Sequence, residues 1–192
     1  MRAELLVIVS VAAVMTAGTC SRDATVSCES VVETFKTKWP QIYKAANSPA
    51  IYCFDRGSEA GGGGYAHKPN RIDINTRVSK LAREHGVQDK QLPDFWRNAL
   101  VHEMGHAYAH THGFDDRWKE WSALRGIPDE LGTKAAQEDY AETFALWLGW
   151  HGPPEHYTRH HPGGYFDFQH AGGKPTREKF LELHELGWLP DK

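Results

Sequence analysis

Three cysteines in 192 residues are too few for a disulfide scaffold. No basic cluster interrupts a formal net charge of -3, so the chain carries no electrostatic footprint for nucleic acid or for an anionic membrane. Long apolar runs are scarce as well. The one from Leu5 to Ala17, broken by Ser10 and Thr16, falls short of the roughly 20 residues that span a bilayer. No internal repeat points to a solenoid or propeller. What is present, 40% hydrophobic and 24% charged residues, is the composition of one ordinary globular domain.

Arg2, the apolar run and the small residues Ala17, Gly18 and Thr19 form the pattern of an export signal, so residues 1–20 are set apart and residues 25–192 are read as one domain. Export to an oxidising compartment predicts a disulfide between Cys28 and Cys53 and a secreted or cell-surface location. Cys20 is left over. It follows the apolar run much as the acylated cysteine of bacterial lipoproteins does, although Ala17 stands where those signals usually have Leu and Thr19 where Gly or Ala is usual. A lipid anchor at Cys20 and simple cleavage nearby are both open, and the anchor would be the chain's one link to a membrane.

Periodicity sketches the domain. Val32, Phe35, Trp39, Ile42 and Tyr43 are spaced as on a helix over Glu29 to Asn47, which Pro40 should divide. Ile51 to Phe54 reads as a short strand, and Gly61 to Gly64 as a flexible turn. Tyr65 to Asn75 alternates with period two and predicts a strand forming a hairpin with Ile51 to Phe54. Further helices are expected at Val78 to His85, Phe95 to about Thr111 with Asp94 as cap, Arg117 to Leu124, Lys134 to about Trp150 with Thr133 as cap, and Thr176 to Leu186.

The chemistry sits in the helix from Phe95. His102 and His106 are four apart and share a face, so both rings can meet one ion, and Glu103 is offset enough to reach a water at that ion. Five residues can arise by chance, so their context decides. Phe95, Trp96, Ala99, Leu100, Val101, Met104, Ala107 and Tyr108 are apolar around much of the helix, which implies burial, and imidazoles buried among them need a partner. A zinc hydrolase takes a third protein ligand. His112 is one candidate, because the run from His102 to His112 nearly reproduces the metzincin motif. Against it, Ala109 replaces the glycine of that motif, and methionines occur only at positions 1, 15 and 104, leaving none for a methionine turn.

Glu138 is the other candidate. Glu138 and Glu142 share a helix face with Ala135, Ala141, Ala145, Leu146 and Leu148, where a carboxylate is costly unless paired. Asp139 points about 100° away. HEMGH followed some thirty residues later by ExxAE resembles the gluzincin type of zinc peptidase, and the ExxAExF helix is similar to that of lethal-factor-like and related single-domain families. The match covers roughly Phe95 to Gly149. It implies an α+β, zincin-like fold, mainly helical with a small antiparallel sheet or hairpin before the metal helix. It also implies Glu138 as third zinc ligand and Glu142 as acceptor for the Nδ1 proton of a ligand histidine.

On this reading zinc acidifies water and polarises a carbonyl, and Glu103 is the general base. An oxyanion donor is expected among Tyr157, His160, His161, Tyr165 and His170, with Tyr157 and Tyr165 preferred. The strand before the metal helix makes a peptide or protein the expected substrate. Two other functions fit the sequence: an inactive, zinc-holding binding protein on a peptidase scaffold, and an amidase acting on cell-wall peptide.

Overall fold

A computed structural model of the chain describes residues 26–57, 63–68, 70–77, 88, 91–149 and 172–192. The expected export signal with Cys20, the expected helix at Val78 to His85, and Tyr157, His160, His161, Tyr165 and His170 lie outside these residues.

The architecture is α+β, mainly helical with one three-stranded sheet. Helix α1 (Cys28–Lys38) starts from a reciprocal cap in which Ser27 and Ser30 bond each other's backbone. It stops at Trp39, and Pro40 opens α2 (Pro40–Ala45), so the proline divides the segment as its missing N–H requires. Val31, Val32, Phe35 and Ile42 turn inward from the two helices.

Strands β1 (Ala50–Phe54), β2 (Gly63–His67) and β3 (Asn70–Asn75) follow, in the spatial order β1-β3-β2. Here the structure corrects the sequence reading. Tyr65 to Asn75 is two strands rather than one, folded at Lys68 into a β2–β3 hairpin, and β1 pairs with β3 in parallel, Ile51 opposite Ile72. The sheet is therefore mixed, not antiparallel. Ile72 and Ile74 share one face and are buried, in keeping with the alternation, but a period of two assigns faces and not partners. Gly63 and Gly64, expected in a turn, belong to β2.

Cys28 and Cys53 are joined, with Cα atoms 6.0 Å apart, tying α1 to β1 across 25 residues. A closed loop of that length restricts the unfolded chain enough to contribute about 3 kcal/mol.

Helix α3 (Leu92–Thr111) runs through the middle and packs on α1, α2, β2 and β3, and on the later helix Gly132–Leu148. Its buried residues, from Trp96 through Leu100, Val101, Met104 and Ala107 to Tyr108, occupy most of its circumference, as expected for a helix covered on several sides. Asp94 is not its cap. The helix begins two residues earlier, Gln91 precedes it without a side-chain bond, and Asp94 instead pairs with Arg97 at 2.6 Å.

Helix α4 (Trp118–Arg125) leads to α5 (Gly132–Leu148), and α6 (Arg177–Glu185), capped by Thr176, closes the fold. Thr133 lies inside α5 rather than capping it, and Gly149, at φ 66°, stops the helix two residues after Trp147 and before Trp150. Trp121, Trp188, Tyr140 and Phe114 meet ring to ring beneath α5, where the Tyr140 hydroxyl donates to the Trp188 carbonyl at 2.8 Å. None of the described helices is long and apolar enough to cross a membrane.

Candidate metal centre

His102 and His106 stand one turn apart on α3 with their Nε2 atoms 3.1 Å from each other. Glu138, on α5, brings Oε2 to 3.1 Å from His102 Nε2 and 3.8 Å from His106 Nε2. Three ligand atoms thus converge, and the group is close enough to hold a metal ion. One turn further along α5, Glu142 Oε1 accepts from His102 Nδ1 at 2.8 Å. A carboxylate can only accept there, so the Nδ1 proton is fixed and Nε2 is turned toward the other ligands.

The crossing of α3 and α5 makes this reach feasible. A β-carbon at Gly105 would lie 2.9 Å from Ala141 Cα and 3.3 Å from its carbonyl oxygen, inside ordinary contact. The residue just before His106 must therefore be bare, and the residue it touches is small. Glu138 and Glu142 flank Ala141 and are delivered to the histidines by that close approach.

Burial alone would depress the His102 pKa, but its hydrogen bonds to the Glu138 and Glu142 carboxylates outweigh it and raise it well above 6.5. Burial would raise Glu138, yet its bonds to His102 and His106 hold it far below 4.5. Glu103 is 8% exposed, and burial pushes its carboxyl upward against the opposing pull of His102 and His106.

These shifts predict how the metal-free chain responds to pH. A histidine whose pKa is raised on folding contributes stability that is whole below 6.5 and is lost as pH rises through the folded value. The Glu138 contribution is constant there, because a lowered carboxyl loses its effect only as pH falls. Chelated protein should lose thermal stability as pH rises above 6.5 and through the raised His102 pKa. Metal-loaded protein should not, because ligand histidines bind the ion neutral and release their protons on binding. Thermal midpoints with and without chelator check this, and parallel curves would contradict it.

His112 is not part of the group. It caps the end of α3, its ring stacked on Tyr108 with centroids 3.8 Å apart and Nδ1 bonded to the Tyr108 carbonyl at 2.8 Å. Asp139 faces away from the metal ligands, as its angular offset predicts, into a buried ion pair that the sequence reading missed. Its carboxylate accepts from Arg125 Nε at 2.9 Å, from Trp121 Nε1 at 3.0 Å and from the Gly172 backbone N–H at 2.9 Å, and Arg125 also donates to the Gly173 carbonyl. An acid on the buried side of α5 was the available signal, since such a charge needs a buried cation.

No family model matches the chain, and no curated protein or solved structure matches it.

Proposed function

We propose that the protein is an exported zinc peptidase of the gluzincin type, with a zincin-like fold. The observation carrying this is the convergence of His102, His106 and Glu138, backed by Glu142 on the outer nitrogen of His102 and accompanied by the buried Glu103. Two imidazoles and one carboxylate are a donor set typical of hydrolytic zinc. Ligands held about 2.0 to 2.1 Å from a tetrahedral ion lie about 3.3 Å from one another. The three separations here, 3.1, 3.1 and 3.8 Å, suit an ion of that size. Calcium, which takes six to eight oxygens, does not suit two nitrogens.

When bound, zinc supplies Lewis acidity, lowering the pKa of water and polarising the carbonyl to be attacked. The chain's own part falls to Glu103. A carboxyl raised by burial is poised to take the proton of the attacking water and pass it to the leaving amine. A structural site would have no use for such a group. Glu142 holds His102 in one tautomer and orientation throughout.

The peptide substrate is supported by the position of β2. It is an edge strand of the sheet, and it packs on α3 with Gly63 against Glu103. An extended peptide pairing with that edge would run past the base. The Cys28–Cys53 disulfide supports an oxidising destination.

Incubation with a mixed peptide library, with and without chelator, tests the proposal. Cleavage that chelation stops and zinc restores is expected. Zinc binding at one equivalent without cleavage of any peptide would instead identify a binding protein, and cleavage confined to cell-wall peptides would identify the amidase.

A further inference from the structure

Glu103 has a neighbour that neither the motif nor the metal group includes. A β-carbon built on Gly63 would lie 2.9 Å from Glu103 Cγ, 3.0 Å from Oε1 and 3.3 Å from Cδ. The strand main chain is therefore laid directly along the glutamate side chain, from its methylene to its carboxylate. At Gly64, the next residue, the same construction meets only the tip of Arg56 at 3.5 Å. Of the two glycines in β2, Gly63 is therefore the one laid against Glu103.

We propose that Gly63 is a positioning residue for Glu103, its bare Cα forming the wall that holds the carboxylate in its orientation beside the metal ligands. A buried glutamate has three side-chain torsions to fix, and an acid–base group displaced by about 1 Å can lose about a hundredfold in rate. The helix backbone fixes the start of the side chain, not its end. The wall must come from another element, and β2 supplies it. Any side chain at position 63 would occupy the space of the carboxylate and drive it to a different rotamer. This also explains why a strand tolerates glycine here, where it packs no side chain of its own.

The inference rests on the peptidase reading for its kinetic consequence, but the contact itself can be measured without a substrate. The test is a cycle of Gly63→Ala and Glu103→Ala, read by denaturant midpoint, with Gly64→Ala setting the effect of a β-carbon in this strand by itself. In the Glu103 background, Gly63→Ala should lower the midpoint more than Gly64→Ala does. In the Glu103→Ala background that excess should vanish, because the three atoms nearest the new methyl have been removed. An equal excess in both backgrounds would overturn the proposal.

The same Gly63→Ala chain, folded and loaded with zinc, should bind the metal within about twofold of the parent while kcat falls about a hundredfold and KM changes little. Undiminished kcat would also overturn it. A parent protein that cleaves no peptide would refute the peptidase reading, and the stability cycle would still decide whether Gly63 sets Glu103.

Discussion

Glu103→Gln is expected to lower kcat for peptide hydrolysis by about a thousandfold or more while zinc stays bound at one equivalent, since a general base contributes about a hundredfold to ten-thousandfold. The amide keeps the shape of the side chain and the contact with Gly63, but it cannot take a proton at neutral pH. His102, His106 and Glu138 are untouched, so metal affinity should hold. Steady-state kinetics beside a zinc titration separates the two effects. A Glu103→Gln variant as active as the parent would refute the proposed mechanism outright, whatever the metal does. Loss of zinc and activity together would instead show that Glu103 supports the site and does not act on substrate.

The largest effect on stability is expected from Asp139→Ala. Arg125 and Asp139 have side chains 3% and 1% exposed, so removing the carboxylate strands a guanidinium in the interior and takes an acceptor from Trp121 Nε1 and the Gly172 N–H. Breaking a buried pair in this way costs about 3 to 5 kcal/mol. Denaturant unfolding of the chelated protein should show a loss of that size. Replacing both partners, Arg125→Met with Asp139→Leu, should recover part of it, because no charge is then left unpaired. Recovery cannot be complete, since the Gly172 N–H still lacks its acceptor. A loss below about 1 kcal/mol in Asp139→Ala would place this pair among the surface ion pairs that contribute little.

Much of the site was legible because its parts are local. His102, Glu103 and His106 lie within one turn or so of helix, and Glu138 and Glu142 are related by the same spacing, so each pair could be placed on a face without knowing the fold. Joining the two helices needed a further argument, that buried acids and imidazoles require one another, and Glu138 and Glu142 do reach His102. The disulfide was legible because only Cys28 and Cys53 follow the expected signal.

The misread features depend on partners distant in sequence. Parallel pairing of β1 with β3 leaves no local trace, because the connecting strand β2 is placed outside both. Gly63 and Gly64 looked like a turn because glycine has no strand preference of its own, and the reason for a bare strand, Glu103, is forty residues away. Asp94 and Thr133 have cap chemistry, but the helices start at Leu92 and Gly132. Arg125 and Asp139 find each other only once α4 has folded against α5.

The seam between Gly105 and Ala141 gives the ion cage a fixed caliper. With no side chain on one helix and a single methyl on the other, backbone meets backbone, and there is no compressible layer between α3 and α5 to take up a change in spacing. The span between the histidines and Glu138 is thereby set by main-chain contact rather than by the flexibility of the ligands. An ion held by this group would be selected by size: a cation needing a wider cage would have to separate two helices that also carry the core. The residue that would gauge such an ion is one that would never touch it.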